Sequence, residues 1–345
     1  MGPTTRPMMR RPFSVLALAG AVCVAAPAVW AQAGMAPGDG AAQAREVRAW
    51  LLRIHEAASH RNFQGTFVVS AGGSVSSARI AHFCEGLNQF ERSESLDGQA
   101  RHVYRHNDVV TTLWPATHVA TIEQRTMRAE FPALLQAGDD RIAEFYEVHP
   151  QGAERIAGHE TNVLVVKPRD VYRYGYRLWA EQTSGLLLRA DVLGEHNEVL
   201  ETSAFSDVAI GVRSQPESVL APMKRLDGYR VLRPVLTPTR LESEGWALRQ
   251  SAPGFRQVSC VKRPMDNAAL ADRQVLQTIY SDGLTYVSVF IEPFDVQRHT
   301  RPMLASVGPT QTLMQQQGDW WVTVVGNVPA TTLRWFAKGL ERLKK

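Results

Sequence analysis

The pattern of this 345-residue sequence predicts an α+β protein: a helix covers an antiparallel β-meander, and a smaller sheet-and-helix module follows. Three observations carry the prediction. Apolar residues recur at helical spacing from Val47 to Ala58. From Phe63 the period changes to two, with connections too short for parallel crossovers. Prolines then interrupt the pattern between 213 and 240, before strand-like segments resume.

The first 33 residues read as a secretory signal peptide. Arg6, Arg10 and Arg11 form a basic start, Phe13 to Val29 is apolar, and small-x-small cleavage sites follow near residues 31–33. The apolar run is shorter than the roughly 20 residues a membrane-spanning helix needs. Bulky Val22 before Cys23 argues against a lipoprotein site, and Arg10-Arg11 leaves Sec and twin-arginine export both open. An exported, periplasmic protein is expected. Three of the 38 lysines and arginines lie in this leader, which holds no acid, so 35 basic residues face 34 acidic ones in the remainder. That balance offers no large cationic field and argues against a nucleic-acid partner.

Residues 34–43 have the composition of a flexible leader. Val47, Trp50, Leu51, Ile54 and Ala58 then form the apolar stripe of a helix. Phe67 to Phe83 reads as a hairpin around Gly72-Gly73, followed by strands at Gln89–Ser95, His102–His106, Val109–Trp114 and His118–Glu123. One or two short helices are expected between Met127 and Tyr146, split at Gly138-Asp139-Asp140. Strands resume at Asn162–Lys167, Tyr172–Gln182, Leu186–Leu193 and Val199–Ile210. The domains expected are therefore 44–212, a Pro-rich linker at 213–239, and a C-terminal domain at 240–345. In the last, strands are predicted at Gln257–Lys262, Val275–Ser281, Tyr286–Glu292 and Trp320–Val325. A closing helix starts at Pro329, with Leu333, Phe336, Leu340 and Leu343 on its buried stripe.

No constellation favours catalysis, a cofactor or a metal. His55 and His60 are five apart, so on a helix their rings diverge by about 140°. His102 and His106 lie on a strand, about 13 Å apart. Cys-x-x-Cys pairs, a nucleophile elbow and a phosphate loop are all missing from the sequence. Cys84 and Cys260 can form one disulfide or remain two buried thiols; their spacing leaves both open.

The informative residues are apolar and aromatic. Phe63, Phe67, Val69, Trp114, Phe131, Leu134, Leu135, Tyr174, Tyr176, Leu178 and Trp179 are candidates to line an incompletely filled barrel mouth that accepts acyl chains, against the alternative of ordinary core packing. Trp320 and Trp321 point to opposite faces of a strand, so one is a candidate exposed anchor for a protein partner, or both are packed inside.

Several segments, in order along the chain, resemble the MucB/RseB family. They are Trp50-Leu51, Asn62-Phe63-Gln64-Gly65-Thr66-Phe67-Val68, Tyr174-Gly175-Tyr176-Arg177-Leu178-Trp179 and Ser184-Gly185-Leu186-Leu187-Leu188-Arg189-Ala190-Asp191, then Pro253-Gly254-Phe255, Tyr280-Ser281-Asp282-Gly283-Leu284 and Val325-Gly326-Asn327-Val328-Pro329. The resemblance implies a large half-open antiparallel β-barrel with covering helices, like the periplasmic lipoprotein carriers, and a smaller α/β C-terminal domain. It implies a non-enzymatic regulator that binds the periplasmic domain of a membrane anti-sigma factor, protects it from proteolysis, and senses mislocalised lipid such as lipopolysaccharide. A periplasmic lipid or lipoprotein carrier is the alternative, and a homo-oligomer stays open.

Overall fold

The computed structural model describes residues 39–124, 142–264, 274–299 and 301–343. Helix α1 spans Asp39–His60. It starts earlier than the sequence suggested, so the stretch read as flexible leader is helical from Asp39 onward. Ala41, Ala42 and Ala44 are strong helix formers. Leu51, Ile54, Ala57 and Ala58 are buried along one face.

A long antiparallel run follows: β1 (Phe63–Ala71), β2 (Ser74–Glu85), β3 (Asn88–Ser95), β4 (His102–His106), β5 (Val109–Trp114) and β6 (Val119–Gln124). Gly72 and Gly73 turn the first hairpin with φ of 56° and 80°, left-handed values that glycine adopts without strain. After the four-residue helix α2 (Ile142–Phe145) come β7 (Tyr146–Ile156), β8 (His159–Pro168), β9 (Gly175–Glu181), β10 (Leu187–Leu193) and β11 (Val199–Ile210). The first helix expected before Gly138, with Phe131, Leu134 and Leu135, lies outside the described residues.

The segment 213–239 is not a structureless linker. Helix α3 (Glu217–Lys224) begins after Pro216, and β12 (Arg230–Leu232) pairs in parallel with β6. Val219 is fully buried in one cluster with Phe83, Phe90, Tyr104, Leu113 and Ala120. Burial of this apolar helix face outweighs the local cost of Pro222. Twelve strands form one sheet in the order β12-β6-β5-β4-β3-β2-β1-β11-β10-β9-β8-β7. Its end strands β12 and β7 do not pair, so the sheet is open rather than a closed barrel.

A second sheet takes in β13 (Thr237–Pro238), β15 (Arg256–Pro264), β16 (Gln274–Ser281), β17 (Tyr286–Pro293), β18 (Met303–Val307), β19 (Thr310–Gln317) and β20 (Trp320–Gly326). Helix α4 (Ala330–Gly339) covers it, burying Leu333, Phe336 and Ala337. A small ladder joins β14 (Trp246–Leu248) to β21 (Leu340–Arg342), so Leu340 ends in a strand and not on the helix stripe. Strands β7, β18 and β19 were not anticipated from sequence.

Candidate functional site

Between the two sheets lies a cavity of about 950 Å³, at the upper end of the size of small-molecule sites. Its first-sheet wall follows from strand phase. Phe63, Phe67 and Val69 alternate along β1, and their register partners His82, Ala78 and Ser76 face the same side. Val192 and Ala190 of β10, Tyr176 of β9 and Trp114 of β5 continue the wall. The second sheet contributes Ile279 and the turn between β16 and β17. Strand β1 can sit this close to β11 because residue 65 is glycine: a Cβ there would fall 2.2 Å from the Asp207 carbonyl oxygen.

One part of the wall is charged. His82, Glu91 and Arg105 occupy a single row across β2, β3 and β4, opposite one another in register. Glu91 Oε1 lies 3.8 Å from His82 Nε2, and its Oε2 lies 3.7 Å from Arg105 Nε. His82 Nδ1 donates to the Arg61 carbonyl at 2.9 Å, and its ring stacks on Phe63. The cavity thus has apolar walls with one polar row, an arrangement suited to an amphiphilic ligand. Sequence reasoning passed over these three residues. The available signal was the strand phase, which puts His82 on the face shared by Ile80 and Ala78.

The predicted lining residues separate into three groups. Phe63, Phe67, Val69, Trp114 and Tyr176 line the cavity. Tyr174, Leu178 and Trp179 are buried elsewhere: Tyr174 and Leu178 in the core under α1, and Trp179 on the opposite face, bonding Glu154 through its indole N–H at 2.9 Å beneath the Arg189 guanidinium. Phe131, Leu134 and Leu135 lie outside the described residues.

The tryptophan pair of β20 is covered on both faces. Trp321 is buried, stacked on His299 at 4.7 Å. Trp320 is half-buried against Trp246, with Arg342 over both rings at 5.0 and 5.3 Å. Neither stands out as an exposed anchor, because α4 and the 294–299 loop fill the two sides. Cys84 and Cys260 form no disulfide. Cys84 Sγ donates to the Ser59 carbonyl, whereas Cys260 is buried in the second-sheet core, where burial pushes its pKa up. Among the described residues, no three His, Cys, Asp or Glu side chains converge as metal ligands, and no helix is long and apolar enough to cross a membrane.

The sheets meet through a buried polar knot beside the cavity. Arg173, in the loop before β9, loses all side-chain exposure. Its guanidinium lies over the rings of Phe145, Phe255 and Tyr146 at 4.5, 5.3 and 5.5 Å. It pairs with Asp170 at 3.2 Å and with Asp282 at 3.4 Å, and donates to the Pro253 carbonyl. Asp282 is fully buried; it accepts from Tyr146 Oη at 2.9 Å and from the backbone N–H groups of Leu284 and Thr285. Burial raises the Asp282 pKa above its ordinary value, with Arg173 opposing. Burial also raises that of Tyr146.

Two family models cover nearly all of this architecture. The MucB/RseB N-terminal domain matches residues 46–223, and the MucB/RseB C-terminal domain matches residues 240–341. The chain belongs to the MucB/RseB family. Among its relatives is the sigma factor AlgU regulatory protein MucB of Pseudomonas aeruginosa, 29% identical over 300 residues, which span 85% of this chain and 90% of that protein. Another is the sigma-E factor regulatory protein RseB of Escherichia coli, 24% identical over 85% of this chain and 90% of that protein. The Pseudomonas aeruginosa MucA/MucB complex structure matches with a TM-score of 0.67 and 27% identity, over 87% of this chain and all of the matched chain. A crystal structure of MucB in complex with MucA(peri) matches with a TM-score of 0.65 and 27% identity, over 86% of this chain and 99% of that chain. The MucB/RseB-like segment from Asn62 to Val68 forms the β1 wall of the cavity, and the Tyr280 to Leu284 segment holds the knot.

Proposed function

We propose that this chain is an exported, non-enzymatic regulator that binds the periplasmic domain of a membrane anti-sigma factor and shields it from proteolysis. The observation that carries the reading is the full-length likeness to MucB in its complex with MucA, which spans both sheets rather than one. Relatives named as sigma factor regulatory proteins align over 85% of the chain. The MucB/RseB family is one of regulatory binding proteins, which supports a binding role without a chemical step.

We propose further that the chain senses mislocalised lipid, a reading that the cavity supports. On this reading the large sheet acts as a half-open shell, whose apolar wall of Phe63, Phe67, Val69 and Trp114 takes a hydrocarbon chain. Each buried methylene contributes about 0.8 kcal/mol, and the His82–Glu91–Arg105 row meets the polar end. A lipid or lipoprotein carrier using the same cavity is the alternative reading.

Titration calorimetry of the chain lacking residues 1–33, against the periplasmic segment of the anti-sigma factor from the same genome, tests the reading. A complex with a dissociation constant of about 1 μM or tighter is expected. No heat and no co-elution at about 100 μM would remove the regulatory function and leave the carrier.

A further inference from the structure

The six-residue turn Ser281–Tyr286 takes part in two structures at once. Ser281, Gly283, Leu284, Thr285 and Tyr286 line the cavity. The remaining residue, Asp282, points away from it into the knot with Arg173 and Tyr146. Leu284 is also a member of the first-sheet core, packed in one cluster with Leu51, Ile54, Tyr146 and Tyr176. The second sheet therefore plugs the first with a leucine whose other side is cavity wall.

The turn is internally stiff. The Leu284 and Thr285 N–H groups both bond to Asp282 Oδ1, at 3.0 and 2.8 Å. Ser281 Oγ bonds the Thr285 carbonyl at 2.8 Å and accepts from the Gly283 N–H. A displacement of Leu284 is thus transmitted to the Asp282 carboxylate. Withdrawing that carboxylate leaves the buried Arg173 guanidinium with Asp170 as its remaining carboxylate partner, so intermediate positions are unfavourable and the contact has two states, made or broken. The strap at 213–232 is less suited to be the moving part, since Val219 and β12 are packed onto the first sheet.

We propose that Ser281–Tyr286 is a latch that reads cavity occupancy: a hydrocarbon chain filling the cavity displaces Leu284 from the first-sheet core, and Asp282 leaves Arg173 and Tyr146. This rests on the reading of the cavity as a site for hydrocarbon. It adds that the signal to the second sheet passes through one turn.

Hydrogen exchange followed by mass spectrometry on the full mature chain, with palmitate as the probe, tests it. With palmitate at saturation, peptides from β1 and β2 should gain protection, while the amides of Leu284 and Thr285 exchange about tenfold faster. Protection of β1 and β2 with no change at 284–285 would overturn the latch and keep the cavity reading. No protection anywhere would overturn the cavity reading and the latch with it. The Leu284→Ala variant supplies a second measurement that does not disturb the ion pair. By removing the plug that palmitate must displace, it should bind palmitate about tenfold more tightly. Unchanged or weaker binding counts against the proposal.

Discussion

Arg173 gives up all solvent contact for three aromatic rings, two carboxylates and a carbonyl. Its value is therefore unlike that of an exposed ion pair such as Arg249–Glu341, whose side chains are 62% and 55% exposed. Exposed pairs contribute about 0–1 kcal/mol. Breaking a buried one costs about 3–5 kcal/mol, because the partner charge is left without compensation. Urea unfolding should show Arg173→Met lowering stability by about 3–5 kcal/mol and Arg249→Met by less than about 1 kcal/mol. Equal, small effects would mean that Arg173 is not the interior contact described. The sequence concealed this residue for a physical reason. The sequence reading ran a strand from Tyr172 to Gln182, yet β9 begins only at Gly175. Tyr172 to Tyr174 belong to a loop, where strand phase carries no information. The same phase argument worked within β1, where Phe63, Phe67 and Val69 do share the cavity wall. On β9 the sequence grouped Trp179 with Tyr176 as cavity lining, whereas Trp179 lies on the opposite face, and it could not tell that α1 covers Leu178.

Among the elements, α3 is the instructive departure. Four prolines between 216 and 238 argued against regular structure, but proline is acceptable at a helix start and on short edge pairings. Pro216 takes φ of −56° at the N-cap of α3, and its carbonyl accepts the first turn's N–H bonds from Val219 and Leu220. The eight-residue helix is too short to persist by propensity, so tertiary burial must hold it. Val219 packs against residues from β2 to β6, and Val219→Ala should destabilise the chain by about 2 kcal/mol, with faster exchange in α3 and β12 together. Loss of α3 protection without any change at β12 would show the two to be independent of each other. The other missed elements have local causes. Strand β7 carries Pro150 and a register shift before Ala153, both tolerated because it is the edge of its sheet. Strand β19 is Thr-Gln-Thr-Leu-Met-Gln-Gln-Gln and has no apolar alternation to read.

For the whole molecule the question is whether the two sheets unfold together. The described residues from Gly40 onward form one compact unit, and the contacts between sheets are of the kind that couples. Leu284 is embedded in the first-sheet core, Arg173 and Asp282 compensate each other's charge, and Thr332 of α4 donates to the Tyr172 carbonyl at 2.7 Å, beside a Tyr172–Trp335 ring contact. If the first sheet melted alone, the second would be left with an exposed Leu284 and an uncompensated Asp282; if the second melted alone, the first would be left with Arg173 paired to Asp170 only and an orphaned Tyr172 carbonyl. Separate melting is therefore penalised beyond the loss of simple apolar area. Scanning calorimetry of the mature chain should give a single endotherm, with calorimetric and van't Hoff enthalpies in agreement. Asp282→Asn keeps the shape and the Tyr146 neighbour but removes the charge that Arg173 needs. It should lower the midpoint and split the transition in two, the second sheet separating from the first. Two endotherms in the unaltered chain would mean that the knot does not couple the sheets at all. A single endotherm in Asp282→Asn would place the coupling in Leu284 and α4 rather than in the ion pair.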